Sequence, residues 1–132
     1  MNLQEIYKSK VITAEQAAGK IVSGNRVATG HACAEPVTLI EAMLKNKDSY
    51  QDVEIVHMVP MGKDEYTKPE MESHFKHNAL FAGASTREAI ASGRADFTPC
   101  FFSKIPELFK NNYLPVDVAL IQVSSPDEHG CC

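Results

Sequence analysis

Apolar residues along this chain fall into short runs divided by polar, glycine- and proline-marked stretches, and the period inside the runs switches between helical and extended. Ala17, Ala18, Ile21 and Val22 recur at helical spacing after Thr13-Ala14-Glu15-Gln16. That tetrad is a capping-box pattern, in which the Thr13 hydroxyl accepts from the third helical N–H while Gln16 reaches back. With Gly24 as a left-handed cap, the spacing predicts a helix over 14–23. Residues 26–30 are short, apolar and turn-bounded, which predicts a strand. Pro36 at a first helical position then opens a second helix, with Leu39, Ile40, Met43 and Leu44 on one face.

The alternation continues. "VEIVHMV" (53–59) predicts a buried strand and "NALFA" (78–82) a weaker one. Ser85-Thr86-Arg87-Glu88 is a second capping box, starting a helix that ends near Gly93. Residues 97–102 read as extended, 105–109 as helical, and "VDVALIQV" (116–123) as the strongest strand of the chain. Strands alternating with helices across short loops imply βαβ units: an α/β fold with an open, mostly parallel sheet and helices on both faces. No internal repeat, low-complexity segment or linker interrupts the pattern, so 1–132 reads as one domain. One feature is out of order. A near-continuous apolar strand belongs inside a sheet, under a following crossover helix, yet only "SSPDEHGCC" follows this one. The expectation is a chain that stops mid-fold.

Composition narrows the function classes. With 132 residues, 44% hydrophobic and 23% charged, the chain can build one core. A formal net charge of -4 with the 13 basic residues scattered argues against nucleic acid or an anionic membrane as partner, since both require clustered Lys and Arg. No apolar run approaches the roughly 20 residues of a membrane span. Met1 to Glu5 lacks the build of a signal peptide, so the expected location is cytoplasmic. Cys33, Cys100, Cys131 and Cys132 show no Cys-x-x-Cys spacing and are expected to stay reduced.

The segment that asks for a chemical reading is "VATGHACAEP" (27–36). Ligands of open α/β sheets meet the loops at the carboxyl ends of the strands. Here Gly30 bares the backbone, His31 offers a donor for a carboxylate or carbonyl, and the helix after Pro36 presents N–H groups to an anion. A tight turn followed by a helix start accounts for the same residues equally well. The stretch is not G-x-G-x-x-G, because Ala32 and Cys33 stand where later glycines are needed. His57 and Met58 lie in the second strand, where a packed core histidine is the simpler account unless the strand end faces the same cleft. "GKDEY" (62–66) has no Walker spacing and reads as a solvated turn. His129, Cys131 and Cys132 make a poor metal set, because adjacent cysteines chelate one ion badly and a closed structural site needs four ligands. Cys33 has no demonstrable histidine partner, and a small buried hydrophobe is the simpler account of it.

Four longer stretches, "GHACAEPVTLIEAM", "VEIVHMVPMGKDEYTKPE", "STREAIASGRADFTPCFFSKIPELF" and "VDVALIQVSSPDEHG", together resemble the N-terminal domain of the acetyl-CoA hydrolase/transferase family, in order and over nearly the whole chain. The resemblance implies a two-domain enzyme with its site in the cleft between two α/β halves. Coenzyme A would move from an acyl-CoA to a short-chain carboxylate such as 4-hydroxybutyrate, butyrate or acetate, by way of a glutamyl-CoA thioester. The coenzyme A thioester is then a substrate, and no cofactor is bound permanently. The resemblance puts the nucleophilic glutamate in the other half, so Glu35, Glu41 and Glu65 are not candidates for it and this chain carries no catalytic residue. It also implies that Gly30, His31, Ala32, Glu35, Pro36 and Met58 line the substrate pocket, with His31 and the nearby backbone holding the acyl oxygens. The family has an aromatic residue after "DEHG", then Cys and further chain; here Cys131 takes the aromatic place and the chain ends at Cys132. The expected object is therefore an N-terminal half whose partner is a missing C-terminal half or a second copy, and the alternative is a non-catalytic α/β domain that binds carboxylates or acyl-CoA or only associates.

Overall fold

A strand buried on both faces needs apolar residues at successive positions, and 53–57 supplies them. In the computed structural model, which describes residues 3–132, this segment is the central strand of five. The strands are β1 (Arg26–Thr29), β2 (Val53–His57), β3 (Phe75–Ala79), β4 (Ala95–Phe97) and β5 (Val118–Leu120), in the order β4-β3-β2-β1-β5. Every pairing is parallel, with Val27 opposite Ile55 on one side and Val118 on the other. The helices are α1 (Leu3–Lys10), α2 (Ala14–Ala18), α3 (Val37–Lys45), α4 (Arg87–Ala91) and α5 (Ile105–Lys110).

Side chains alternate across a strand, so each strand feeds two cores. Val27, Val53, Ile55, Phe75 and Leu120 pack on one face with Ile40 and Met43 of α3, Ile21, Tyr50 and Tyr66. Val56, Leu80 and Leu114 pack on the other with Met58 and with Ile105, Leu108 and Phe109 of α5. Right-handed crossovers explain the division: β1 to β4 step in one direction and keep their connections on one face, while α5 leads back across the sheet to β5 and lies on the other.

The α5 face carries a polar line and an apolar patch. Arg26 and Glu54, toward the amino ends of β1 and β2, pair at 2.6 Å, and from there the polar line runs across the sheet: Asn78 Nδ2 donates to Glu54 Oε1 at 3.0 Å, and Thr98 Oγ1, just past β4, donates to Asn78 Oδ1 at 2.8 Å. Asp117 Oδ2 accepts from the Arg26 N–H at 2.7 Å and ties the entry of β5 to β1. At the carboxyl ends the same face carries Ala28, Val56, Leu80 and Ala119.

Several boundaries differ from the periodicity. Thr13 and Gln16 form the reciprocal capping box as expected, but α2 ends at Ala18, not 23, with Gly19 as its C-cap. Gly24, at φ +80°, turns the chain into β1 instead of capping the helix. Pro36 is the N-cap of α3, one residue outside it. β3 lies at 75–79, three residues before the expected strand, because His77 and Asn78 are buried as strand residues despite their polarity. Ser85 caps nothing: its hydroxyl goes to Asp64, and α4 begins at Arg87 after an uncapped Thr86. β4 is 95–97, and a 3-10 turn over Phe102–Lys104 leads straight into α5. The segment 116–123 yields only three paired residues at a sheet edge, with Ile121 60% and Val123 62% exposed. α1 was not anticipated, since it buries nothing; Gln4 donates to the Asp127 carbonyl at 3.2 Å, and Leu3 lies against Gly130.

Candidate functional site

β1, β2 and β5 end side by side, and a cavity of about 340 Å³ opens where they end. Its floor is Ala28, Val56, Leu80 and Ala119, and its outer wall is Phe102, Ile105, Pro106 and Phe109. Gly30, His31 and Met58 form the lip, and Ile121 the far rim. The lining is largely apolar because the polar line from Arg26 and Glu54 runs aside to Asn78 and Thr98 on β3 and past β4, away from the ends of β1, β2 and β5.

The lip is shaped by a tightly wound loop. After β1, residues Ala32–Ala34 form a 3-10 turn that brings the Ala34 carbonyl back onto Gly30, so a β-carbon there would lie well inside 3.0 Å of that oxygen. The Gly30 N–H donates to Leu120 O at 2.9 Å, and the Ala32 N–H to Val59 O at 2.9 Å. These bonds fasten the loop to β5 and to the end of β2. Ala32 sits at φ 52°, a left-handed conformation that costs an alanine about 1 kcal/mol. The His31 side chain is half-buried and makes no hydrogen bond among the described residues, so its ring nitrogens are open to a ligand at the lip.

The six residues expected to line the pocket divide evenly. Gly30, His31 and Met58 border the cavity. Ala32 acts through its backbone, and Pro36 borders a separate shallow groove with Leu39, Ile121 and Val123. The α3 N-terminus therefore opens onto that groove and not into the main cavity. Glu35 turns the other way: it is buried, and its Oε2 accepts from the Met61 and Gly62 N–H groups at 2.7 and 2.8 Å. A β-carbon on Gly62 would come within 2.6 Å of Glu35 Oε1. Removing this clamp with Glu35→Ala is expected to lower stability by about 2 kcal/mol, the usual range for hydrogen bonds to a charged acceptor. The Met61 and Gly62 amides should then lose hydrogen-exchange protection; unchanged protection would show that other contacts hold the loop.

The segment 62–66 is not a solvated turn. Lys63 is exposed, but Asp64 and Tyr66 are buried against the α3 face of the sheet. The Tyr66 hydroxyl donates to Asp64 Oδ1 at 2.6 Å and meets His57 Nε2 at 2.5 Å, while Ser85 donates to Asp64 Oδ2. His57 stacks on His77 with ring centroids 4.3 Å apart. Burial, and then the neighbouring His77, pushes the His57 imidazole down to about 3. Burial also lowers His77, and burial together with the Asp64 charge holds the Tyr66 phenol well above its ordinary value. His57 is thus a core histidine that also borders the cavity. Sequence reasoning missed this cluster, as it did the Phe102, Ile105 and Phe109 wall. The one available signal was an aromatic residue inside an otherwise polar turn.

The four cysteines are free, Cys33 exposed on the 3-10 turn. Among the described residues no three His, Cys, Asp or Glu side chains gather as metal ligands would, and no helix is long and apolar enough to cross a membrane.

An open parallel sheet with an apolar cavity at the carboxyl ends of its strands places this chain among α/β domains, the architecture in which small molecules are met beyond the strand ends. Residues 1–132 match the acetyl-CoA hydrolase/transferase N-terminal domain, and the chain belongs to that family. It is 61% identical, over its full length, to 4-hydroxybutyrate coenzyme A transferase of Clostridium kluyveri, of which it covers 31%. It is also 30% identical to butyryl-CoA:acetate CoA-transferase of Anaerostipes caccae, covering 29% of that protein with 98% of its own length. Among solved structures, 4-hydroxybutyrate CoA-transferase of Porphyromonas gingivalis superposes with a TM-score of 0.74 at 31% identity, over 96% of this chain and 28% of that one. RipA of Yersinia pestis gives 0.87 at 24% identity, over 98% of this chain and 32% of that one, a likeness of fold. The chain spans about a third of the length of these relatives.

Proposed function

We propose that this domain supplies the acyl-binding wall of a CoA-transferase that moves coenzyme A from an acyl-CoA to a short-chain carboxylate such as 4-hydroxybutyrate, butyrate or acetate. The observation that carries the reading is the apolar cavity with Gly30, His31 and Met58 at its lip. A four-carbon chain matches the apolar floor, and its carboxyl end would then lie at the lip, beside the free imidazole of His31. No Asp, Glu, Lys or Arg lines the cavity, which accords with a coenzyme A acceptor supplied from outside this wall. A glutamate in the remainder of the enzyme fills that role by covalent catalysis. On this reading Ala32, Glu35 and Pro36 shape the lip and do not touch substrate.

Two measurements test it. The purified chain alone should transfer no coenzyme A between butyryl-CoA and acetate, and mixing it with the separately produced remainder of a relative should restore transfer. Thioester exchange by the chain alone would overturn the assignment. In an intact relative carrying the same loop, His31→Ala should lower kcat/KM roughly tenfold to a hundredfold, as expected for one lost hydrogen bond to a reacting oxygen, with the fold intact. Full activity would remove His31 from the site. A second reading, a domain that only associates with another chain, is favoured by the exposure of Phe101 (82%) and Phe102 (70%). It predicts a stable complex without transfer in the same mixture.

A further inference from the structure

His57 and His77 are 3% and 2% exposed, and each already has its one proton placed. His77 Nδ1 faces the Ile55 carbonyl at 3.0 Å and must donate to it, which leaves Nε2 as a bare lone pair. The Tyr66 hydroxyl gives its proton to Asp64, so His57 Nε2 must donate to the Tyr66 oxygen, which leaves Nδ1 bare. The two bare nitrogens are buried and without a partner. A second proton on either ring would enter a buried site, where the Met58 backbone beside His57 offsets the burial only in part, and a proton on both would put two cations in a stack 4.3 Å deep.

The surrounding charges do not offset this. Asp64 is the one buried anion beside the pair, and both of its oxygens already accept, from Tyr66 and from Ser85. Glu54, which also acts on His77, lies on the opposite sheet face and is engaged by Arg26 and Asn78. Glu35, which acts on Tyr66, is held by Met61 and Gly62. His31, the remaining group that His57 senses, carries no negative charge to offer.

The side held least firmly is the one above the rings, although His57 also borders the cavity and His77 a shallow pocket with Glu72, Lys76, Arg94 and Asp96. Beneath the rings, β2 and β3 are each paired on both edges. Above them lies 60–67, which contains no strand; its 3-10 turn at Glu65–Thr67 lays Tyr66 over both rings, at 5.8 and 5.6 Å. We propose that the His57–His77 stack is an acid-sensitive latch: it holds the 60–67 cover closed while both rings are neutral, and protonation lifts the cover locally while the sheet stays folded. Because Glu35 joins this cover to the 30–36 loop, opening would also loosen the lip of the cavity.

The direction follows from linkage. Folding holds both imidazoles below their ordinary value of 6.5, so the closed state is fully favoured above that pH and is lost progressively as pH falls toward the folded value, about 3 for His57. Below 6.5 the open population should rise by up to roughly tenfold per pH step for each histidine involved. The test is amide hydrogen exchange from pH 7.5 to 4.5, corrected for intrinsic rates, read separately for 60–67 and for β1 and β2. The expected result is exchange of 60–67 at least tenfold faster at pH 5 than at pH 7, with the strands still protected. In His77→Gln the acid dependence of 60–67 should weaken. Nitrogen shifts of the unsubstituted chain should show Nε2–H at His57 and Nδ1–H at His77, a readout that needs no variant to fold. Exchange of 60–67 independent of pH, cover and strands opening together throughout, or the opposite tautomers would each overturn the latch.

Discussion

Gly30→Ala should destabilise the domain by about 3 kcal/mol, the upper part of the range for overpacking, because the added methyl meets a carbonyl and not a movable side chain. The obstructing atom is the Ala34 oxygen, in a turn whose start is pinned by backbone bonds from Gly30 to Leu120 and from Ala32 to Val59. Relief requires unwinding the 3-10 turn, which would move His31 off the lip and break the Gly30–Leu120 bond that secures β5. A drop in melting temperature of roughly 10 °C is expected for a chain of this size. Gly62→Ala is the control, since its obstacle is the end of the Glu35 side chain, which can rotate away; it should cost about 1 kcal/mol, mainly through a weakened clamp. Equal effects at the two glycines would mean that the loop after β1 yields as readily as a side chain.

The largest loss expected from a single truncation is at Tyr50, 1% exposed and among the largest fully buried side chains. Its hydroxyl donates to the Ala18 carbonyl at 2.7 Å and accepts from Asn46 Nδ2 at 2.9 Å, while its ring meets Phe75 edge-on. One side chain thus joins the end of α2, the end of α3 and β3. Tyr50→Ala should cost about 3–5 kcal/mol, the range for deleting a large buried aromatic. Tyr50→Phe should cost about 1–2 kcal/mol, because the Ala18 oxygen and the Asn46 amide lose a partner while the packing stays. Chemical denaturation of both variants separates the terms. A near-neutral Tyr50→Phe would show that water replaces the hydroxyl and that α2 is held by packing alone.

How far the sequence could be read depended on whether a residue's partners were near in the chain. The Thr13–Gln16 box, β1, β2, α3 and α5 were legible because capping and side-chain period act over a few residues. β3 was displaced because the strand runs through Phe75-Lys76-His77-Asn78-Ala79, whose His77 and Asn78 are satisfied by residues 20 or more positions away, such as Glu54, Ile55 and Thr98. Ser85 failed as a cap for the same reason, its acceptor being Asp64. At the candidate site, Gly30, His31 and Met58 could be placed by their position at strand ends. Glu35 could not be assigned to its clamp, since nothing local directs a carboxylate to amide groups 26 residues on.

By itself the sequence determined the class of fold: alternating runs of strand and helix period admit a parallel sheet with two covered faces and few other arrangements, and its motifs carry the family. Only the tertiary structure decided the strand order, which makes the most apolar segment an edge and sends α5 alone to the far face. It also decided that a polar turn becomes the lid of a buried histidine pair. The physical reason is common to both outcomes. Period and capping are local energies, whereas the burial of Asp64, Tyr66, His57 and His77 becomes tolerable only when distant residues arrive to satisfy them.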